Sequence, residues 1–105
     1  MVTEKLGVSP NQIEAFCRKW QVRELAIFGS ALRDDFGPDS DVDVLVQFSD
    51  DAHRSLFDMV DMEDELERLF GREVDLVSRR GVEQSRNYLR RKAILNAAEV
   101  VYAQR

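Results

Sequence analysis

The chain has 105 residues, of which 44% are hydrophobic and 33% are charged, with five glycines and two prolines. This composition excludes a disordered, collagenous or low-complexity protein, and the length suffices for one hydrophobic core but not for two. We therefore expect a single domain over residues 1–105. No apolar run approaches the ~20 residues that span a bilayer, and the first ten residues lack the apolar stretch of a secretory signal. Cys17 is the only cysteine, which excludes an intrachain disulfide, so the sequence predicts a cytoplasmic protein without membrane contact.

The charge is acidic overall but unevenly distributed along the chain. Twenty acidic and fifteen basic residues give a net charge of -5; residues 1–71 hold 16 acidic and 7 basic residues, and residues 72–105 hold 4 and 8. An acidic total argues against direct nucleic-acid binding, which depends on phosphate neutralisation. The acidic part suits divalent cations, and the basic part is either a solvated helix face or a contact for a partner. The basic residues concerned are Arg79, Arg80, Arg86, Arg90, Arg91 and Lys92.

The first predicted element is a helix with a well-marked start. Ser9 is a natural N-cap, Pro10 occupies the first helical position and Gln12 completes a capping box. Apolar residues then follow at helical spacing, namely Ile13, Phe16, Cys17 and Trp20. On this stripe Cys17 is predicted to be a small core residue rather than a nucleophile.

The rest of the chain alternates between strands and helices. We predict strands over residues 24–28, 42–48 and 73–77, with a last edge strand at 100–102. A second amphipathic helix is expected over residues 54–70, with Gly71 just past its end, and a basic helix over residues 82–98. The apolar side of the second helix is predicted to hold Leu56, Met59, Val60, Met62, Leu66, Leu69 and Phe70. The element order predicts an α/β (α+β) sandwich, a small mixed β-sheet with helices packed on one or both faces.

Three aspartates interrupt the predicted strands, where ionised carboxylates are unfavourable. Asp41 and Asp43 bracket Val42, so their side chains project from one face of the strand, and Asp75 joins them if the third strand pairs beside the second. Three carboxylates this close repel each other unless a cation lies among them, and oxygen ligands suit Mg²⁺. The alternative is that Asp41 caps a loop while the other two face solvent from an uncovered sheet; the carboxylates alone do not decide between the two.

A glycine–serine pair favours the first interpretation. Gly29 and Ser30 directly follow an apolar strand, where backbone N–H groups and a hydroxyl can hold a phosphate. If residues 30–33 begin a short helix, its N-terminus faces that anion and Arg33 lies nearby. The pair alone is a weak signal, because it is more often only a turn.

The spacing of these motifs carries a resemblance to a known family. Gly29-Ser30, then ten residues, then Asp41-Val42-Asp43 resembles the signature of the DNA polymerase beta-like nucleotidyltransferase superfamily, and Asp75 matches its third carboxylate. The short chain and the stretch Pro38-Asp39-Ser40-Asp41 are most similar to the minimal nucleotidyltransferases, or MntA-type antitoxins. The resemblance covers about residues 10–102 and implies the nucleotidyltransferase fold.

The resemblance implies transfer of AMP from ATP to a hydroxyl acceptor, with release of pyrophosphate. Gly29 and Ser30 would hold the β- and γ-phosphates, and Arg33 would neutralise charge on the triphosphate. Close relatives often read Gly-Ser-Arg-Ala-Arg-Gly, whereas this chain has Ala31 in place of the first arginine and Asp34 in place of the last glycine. Phosphate affinity and loop shape are the properties that this departure affects.

The resemblance also assigns the carboxylates and a partner. Asp41, Asp43 and Asp75 would hold two Mg²⁺ ions, with Asp75 helping to deprotonate the acceptor hydroxyl. The acceptor implied is a tyrosine of a HEPN-type RNase toxin, which the transfer would silence. Two alternatives stay open: a non-catalytic antitoxin that acts by occlusion, and a nucleotidyltransferase acting on a small molecule such as an aminoglycoside. Base preference, the number of AMP units and self-association are not specified by the sequence.

Overall fold

The computed structural model describes residues 6–32, 37, 40–49, 55–84 and 86–104. Within these residues the chain forms four α-helices, a 3-10 turn and one four-stranded sheet. In chain order the elements are α1 (Pro10–Lys19), β1 (Val22–Phe28), the 3-10 turn Gly29–Leu32, β2 (Val42–Phe48), α2 (Leu56–Phe70), β3 (Val74–Ser78), α3 (Arg79–Glu83), α4 (Tyr88–Ala97) and β4 (Glu99–Ala103).

Helix α1 begins as the sequence predicts. The Ser9 hydroxyl accepts a hydrogen bond from the Gln12 N–H (3.2 Å), and the Ser9 N–H donates to Gln12 Oε1 (3.0 Å), which completes the capping box. Ile13, Phe16 and Cys17 are buried on the inner face of the helix. Both the capping box and the core position of Cys17 are therefore confirmed.

The sheet is mixed, with the strand order β3-β2-β1-β4. Strand β1 pairs antiparallel with β2 and with β4, whereas β2 and β3 run parallel. The predicted strands are confirmed, with β2 at its predicted bounds and β3 shifted by one residue to Val74–Ser78. As predicted, β4 is an edge strand, and the parallel pair requires the crossover that α2 supplies.

Helices cover both faces of this sheet. On one face, Val42, Val44 and Val46 are fully buried against Met62 and Leu66, with α1 completing the same core. On the other face, a smaller cluster forms from Ala26, Leu45, Val82 and Ile94. The alternation of side chains along β2 thus places valines in the main core and directs Asp43 and Leu45 to the opposite face. The predicted mixed sheet with packed helices is confirmed.

Helix α2 starts two residues later than predicted and is buried over only part of its length. Ser55 caps it, and the Ser55 and Asp58 side chains complete a second capping box. Gly71 ends it in the left-handed conformation (φ 67°), as expected. The prediction that Leu56 and Val60 lie on the buried side was wrong: their exposed fractions are 83% and 58%. The start of the helix lines an open cleft beside the carboxyl ends of β2 and β3, where Leu56 lies near Phe48 without being covered.

The predicted basic helix over residues 82–98 is two helices. Strand β3 runs directly into α3, where Ser78 accepts a hydrogen bond from the Gly81 N–H (3.0 Å), and α4 follows separately. Val82 from α3 and Ile94 from α4 both belong to the small cluster formed with Ala26 and Leu45 of the sheet. One straight helix cannot bring both side chains to the same small patch, which is the physical reason for the break. None of the helices in the described part of the chain combines the length and apolar character of a membrane span.

Candidate active site

The end of β1 meets the start of β2 at a close backbone contact. Phe28 pairs with Asp43, and the next residue, Gly29, has φ 75°. A Cβ atom on Gly29 would overlap Oδ2 of Asp43 and lie 3.2 Å from its Cγ. The positive φ and the missing side chain are both required here, so glycine is the residue that lets the turn pack against this carboxylate.

The parallel register brings two of the three aspartates together. Asp43 on β2 pairs with Asp75 on β3, so the two side chains leave the same face of adjacent strands. Asp43 is half-buried and Asp75 is exposed. The sequence predicted that these two aspartates would meet if β3 paired beside β2, and β3 does so. Leu45, the next residue of β2 on the same face, belongs to the smaller core. This face of the sheet is therefore covered by helices just beyond the two aspartates.

Asp41 precedes β2 and is exposed, two residues before Asp43. Arg72, which precedes the neighbouring strand β3, donates from Nη1 to the carbonyl oxygens of Gly37 and Ser40 ahead of Asp41. Ser40 also closes a turn on Gly37, with its N–H donating to the Gly37 carbonyl (3.1 Å) and its hydroxyl accepting from the Gly37 N–H (3.1 Å). Sequence reasoning missed Arg72, because its partners are backbone atoms more than thirty residues away.

The structure describes only some of the residues near the predicted phosphate site. Ser30 lies in the 3-10 turn Gly29–Leu32, which agrees with the short helix considered at this position. Arg33 and Asp34 lie outside the described residues. The predicted phosphate contacts of Ser30 and Arg33 therefore stay predictions.

The carboxylates fit a hard divalent cation by chemistry, since Mg²⁺ is commonly held by one or two carboxylates together with substrate phosphates. Asp43 and Asp75 supply such a pair from neighbouring strands. Across the described ranges, no group of three or more His, Cys, Asp or Glu side chains is gathered closely enough to hold a metal ion by itself.

Two glutamates on α2, which sequence reasoning also missed, lie beside Asp75. The Val74 N–H donates to Oε2 of Glu67 (3.0 Å), and Glu63 lies near the backbone of Leu76. Burial raises the pKa of Glu63; the Leu76 backbone opposes this shift, and the nearby carboxylates of Glu67 and Asp75 add to it. In the sequence, these residues could have been found as two glutamates four positions apart, next to the apolar residues on the buried face of a helix.

Two clefts lie away from the aspartates. One, of about 550 Å³, is at the carboxyl ends of β2 and β3 and is lined by Phe48, Ser78 and Arg79 among others. The other, of about 610 Å³, is lined by residues that include Cys17 and Gln104. Burial raises the pKa of Cys17 to about 12, so its thiol stays protonated at neutral pH, which agrees with a core role.

In the basic segment that was predicted to meet a partner, some side chains are engaged within the protein and others are exposed. Arg79 lies 2.9 Å from Glu83 and 3.6 Å from Glu24, and Arg91 donates to the Glu83 carbonyl while lying over the ring of Tyr88. The side chains of Arg80, Arg86 and Lys92 are exposed. The prediction that this basic segment meets a partner stays a prediction.

The model of the nucleotidyltransferase domain family matches residues 10–101. The chain belongs to this family. A solved structure of a candidate minimal nucleotidyltransferase is 31% identical, covers 94% of this chain and 95% of its own, and has a TM-score of 0.70. These findings confirm the nucleotidyltransferase fold and the resemblance to minimal nucleotidyltransferases.

Other relatives carry more specific names. The protein adenylyltransferase MntA of Thermococcus cleftensis is 44% identical over 59 residues, which are 56% of this chain and 58% of the relative. The chain spans about 58 to 64% of the length of the curated relatives that it matches. Two solved complexes share the fold at lower identity. A toxin–antitoxin with AMP-PNP has a TM-score of 0.70 (17% identical, covering 93% of this chain and 76% of its own), and a tri-AMPylated Shewanella oneidensis HEPN toxin with its MNT antitoxin has 0.62 (18%, 90% and 70%).

Proposed function

We propose that this protein transfers AMP from ATP to a hydroxyl group of a HEPN-type toxin in the cytoplasm and thereby acts as its antitoxin. The observation that carries the proposal is the pairing of Asp43 with Asp75 beside Gly29, within a chain of the nucleotidyltransferase family. The names of its relatives, a protein adenylyltransferase and a complex with an AMPylated HEPN toxin, support the choice of reaction and partner.

In the proposed reaction, an oxygen of the acceptor attacks the α-phosphorus of ATP. A bond from that oxygen to phosphorus forms, the bridging bond between the α- and β-phosphates breaks, and pyrophosphate leaves with the electron pair. The acceptor hydroxyl loses its proton, for which an oxygen of the Asp75 carboxylate is the proposed recipient. We propose a tyrosine as acceptor, since its phenolic proton is more easily removed than that of serine or threonine.

The protein's contribution is mainly to position charged groups. Gly29 and Ser30 would hold the terminal phosphates, and Arg33 would neutralise part of their charge. Asp41 and Asp43 would hold the Mg²⁺ that accompanies the nucleotide, and Asp75 a second one. Such ions supply charge neutralisation at the transferring phosphate. The half-buried position of Asp43 against the Gly29 backbone would fix one of these carboxylates before the nucleotide binds.

The competing interpretation is an antitoxin that works by occlusion without chemistry. The two are separated by the double variant Asp41→Asn and Asp43→Asn, which removes two charges while nearly preserving side-chain shape. We expect it to bind the toxin in a pull-down, to give no labelled toxin with α-³²P-ATP, and to leave cells that express the toxin unprotected. The matched control, Asp61→Asn with Asp64→Asn, removes two charges from the exposed side of α2 and should label and protect as the wild type does.

Full protection by the Asp41/Asp43 double variant, at matched expression, would contradict the catalytic proposal. Label that appears on a small molecule and never on the toxin would instead favour the small-molecule alternative.

A further inference from the structure

Strand β3 is an edge strand of only five residues, and it carries Asp75. The Val42 N–H donates to the Glu73 carbonyl (2.9 Å), so backbone groups at 73, 75 and 77 point to β2 and those of Val74 and Leu76 point outward. Outward N–H groups on an edge strand have no neighbouring strand to bind. Without other partners, β3 would be held to the sheet from one side only.

A carboxylate of α2 occupies that outer side. The Val74 N–H donates to Oε2 of Glu67 at 3.0 Å in a partly buried contact. Glu63, one helical turn earlier, lies near the backbone of Leu76. Four residues of helix advance by about 6 Å, and two residues of strand advance by about 6.6 Å, so the two glutamates face two successive outward amides.

We infer that Glu67, with Glu63 beside it, forms a clamp that holds the outer edge of β3 and thereby positions Asp75 against Asp43. The hydrogen bond of the clamp is made at Val74, the residue directly before Asp75. Both glutamates are half-buried, and the hydrogen bonds to a charged carboxylate are stronger than neutral ones. They are positioning residues: their contacts are with the backbone that carries the proposed catalytic carboxylate.

Its effect on the reaction rests on the proposed function, because only a catalytic Asp75 needs to be held in place. The alternative is that the two glutamates merely add stability to the fold. Glutamine variants help to separate the two interpretations, because glutamine keeps an acceptor oxygen and loses the charge. A hydrogen-bonding clamp survives Glu67→Gln and fails in Glu67→Ala.

The first measurement is amide hydrogen exchange by NMR at Val74 and Leu76 in the full-length protein. In Glu67→Ala we expect exchange at Val74 to accelerate by about tenfold or more, the loss expected for one hydrogen bond to a charged group. Glu67→Gln keeps a weaker, neutral hydrogen bond, so it should accelerate exchange by no more than about fivefold. Asp61→Ala, an exposed carboxylate on the same helix, is the control and should leave both amides unchanged. Should Glu67→Ala fail to fold, Glu67→Asp takes its place with readout at Val74, because its carboxylate is one methylene shorter and the hydrogen bond at 3.0 Å should be lost.

The second measurement is the rate of AMP transfer to the toxin as a function of ATP and Mg²⁺. Displacement of Asp75 should lower kcat by about tenfold in Glu67→Ala and raise the Mg²⁺ concentration for half-maximal rate, with the KM for ATP unchanged. A purely structural loss would reduce the folded fraction without moving the Mg²⁺ dependence. Glu67→Gln should restore both quantities.

Exchange at Val74 and Leu76 that matches Asp61→Ala would overturn the clamp, as would Glu67→Gln behaving like Glu67→Ala. A normal Mg²⁺ dependence in a variant with fast exchange would overturn the positioning of Asp75. The exchange measurement does not depend on activity. If the wild-type protein transfers no AMP, the proposed function fails while the clamp is still decided.

Discussion

The contact between Gly29 and Asp43 is the most constrained residue-level feature of the site. The turn after β1 has φ 75° at Gly29, and its backbone lies against the Asp43 carboxylate. A side chain at this position would therefore meet two separate penalties, one from the backbone conformation and one from the contact. The second penalty falls on a proposed catalytic group.

We predict that Gly29→Ala destabilises the protein and weakens ATP binding. The backbone term costs about 1–2 kcal/mol, and the overlap with Asp43 should add about 1 kcal/mol or more. Since Asp43 must move, affinity for ATP should fall by about tenfold. Urea unfolding and calorimetric titration with ATP and Mg²⁺ measure the two effects.

Gly7→Ala is the matched control for this variant. Gly7 has nearly the same φ, 71°, but a Cβ atom there would have nothing within 4 Å. It should cost only the backbone term and leave ATP affinity unchanged. Equal losses of stability in the two variants, with equal ATP affinity, would contradict the contact that we describe.

At the scale of elements, α1 and α2 are joined by a polar contact as well as by the core. Glu65 on α2 accepts hydrogen bonds from Lys19 Nζ (2.8 Å) and Trp20 Nε1 (2.7 Å), at and just beyond the end of α1. Burial raises the pKa of the Glu65 carboxyl, but the hydrogen bonds from Lys19 and Trp20 outweigh this and place it below its ordinary value of 4.5. The ionised form is thus favoured by folding.

This shift gives a pH dependence of known sign. A carboxyl whose pKa is lower in the folded state stabilises the protein above its unfolded pKa, and this contribution disappears as pH falls through the folded value. We predict that Glu65→Gln lowers the free energy of unfolding by about 1 kcal/mol at pH 7. The difference from the wild type should vanish as pH falls below 4.5. Urea unfolding at a series of pH values measures it.

The surface pair between Glu14 and Arg18 (2.7 Å) is the comparison for Glu65. Glu14→Gln breaks an exposed contact within one helix, which should change stability by only about 0.3–0.5 kcal/mol. If Glu14→Gln and Glu65→Gln lose the same free energy at pH 7, the contact between α1 and α2 contributes no more than an ordinary surface pair.

The side chains of helix α2 have different surroundings along its length. Met62 and Leu66 are fully buried in the main core, whereas Leu56 and Phe57 in the first turn are exposed by 83% and 82%. The same helix presents Glu63 and Glu67 to the edge of β3. Its sequence periodicity describes one apolar face; the position of the sheet decides which part of that face is covered.

At the scale of the whole molecule, the negative net charge of the protein opposes the proposed binding of a triphosphate. The net charge is -5, and the proposed site adds Asp41, Asp43 and Asp75 next to the phosphates. Each pair of like charges about 4 Å apart costs about 1 kcal/mol even in a water-like dielectric. Several such pairs must be compensated for the nucleotide to bind.

We predict that Mg²⁺ strengthens ATP binding by at least about tenfold, because it neutralises charge shared by the phosphates and the aspartates. Calorimetric titration of ATP with and without Mg²⁺ measures this. Adenosine, which lacks phosphates, is the control and should bind equally in both conditions. The same ATP affinity in excess chelator would contradict a metal-assisted site.

The local features of this protein were determined by its sequence. The capping box at Ser9 and Gln12, the bounds of β2 and the end of α2 at Gly71 were all predicted. Each depends on interactions within a few residues: a side chain that binds a nearby amide, an alternating pattern, or a glycine that adopts a positive φ. The three aspartates and the glycine–serine pair were also recognisable from their spacing along the chain, and their roles at the site stay predictions.

Only the tertiary structure decided which of these residues meet. The register that pairs Asp43 with Asp75, the close approach of Gly29 to Asp43 and the contact of Glu67 with Val74 all join different elements. The break between α3 and α4 and the exposed start of α2 were likewise decided by the tertiary structure. Such features depend on how strands align and how helices pack on the sheet, and a shift of one residue moves every side chain of a strand to the opposite face. No local pattern encodes that alignment, because it results from packing the whole core at once.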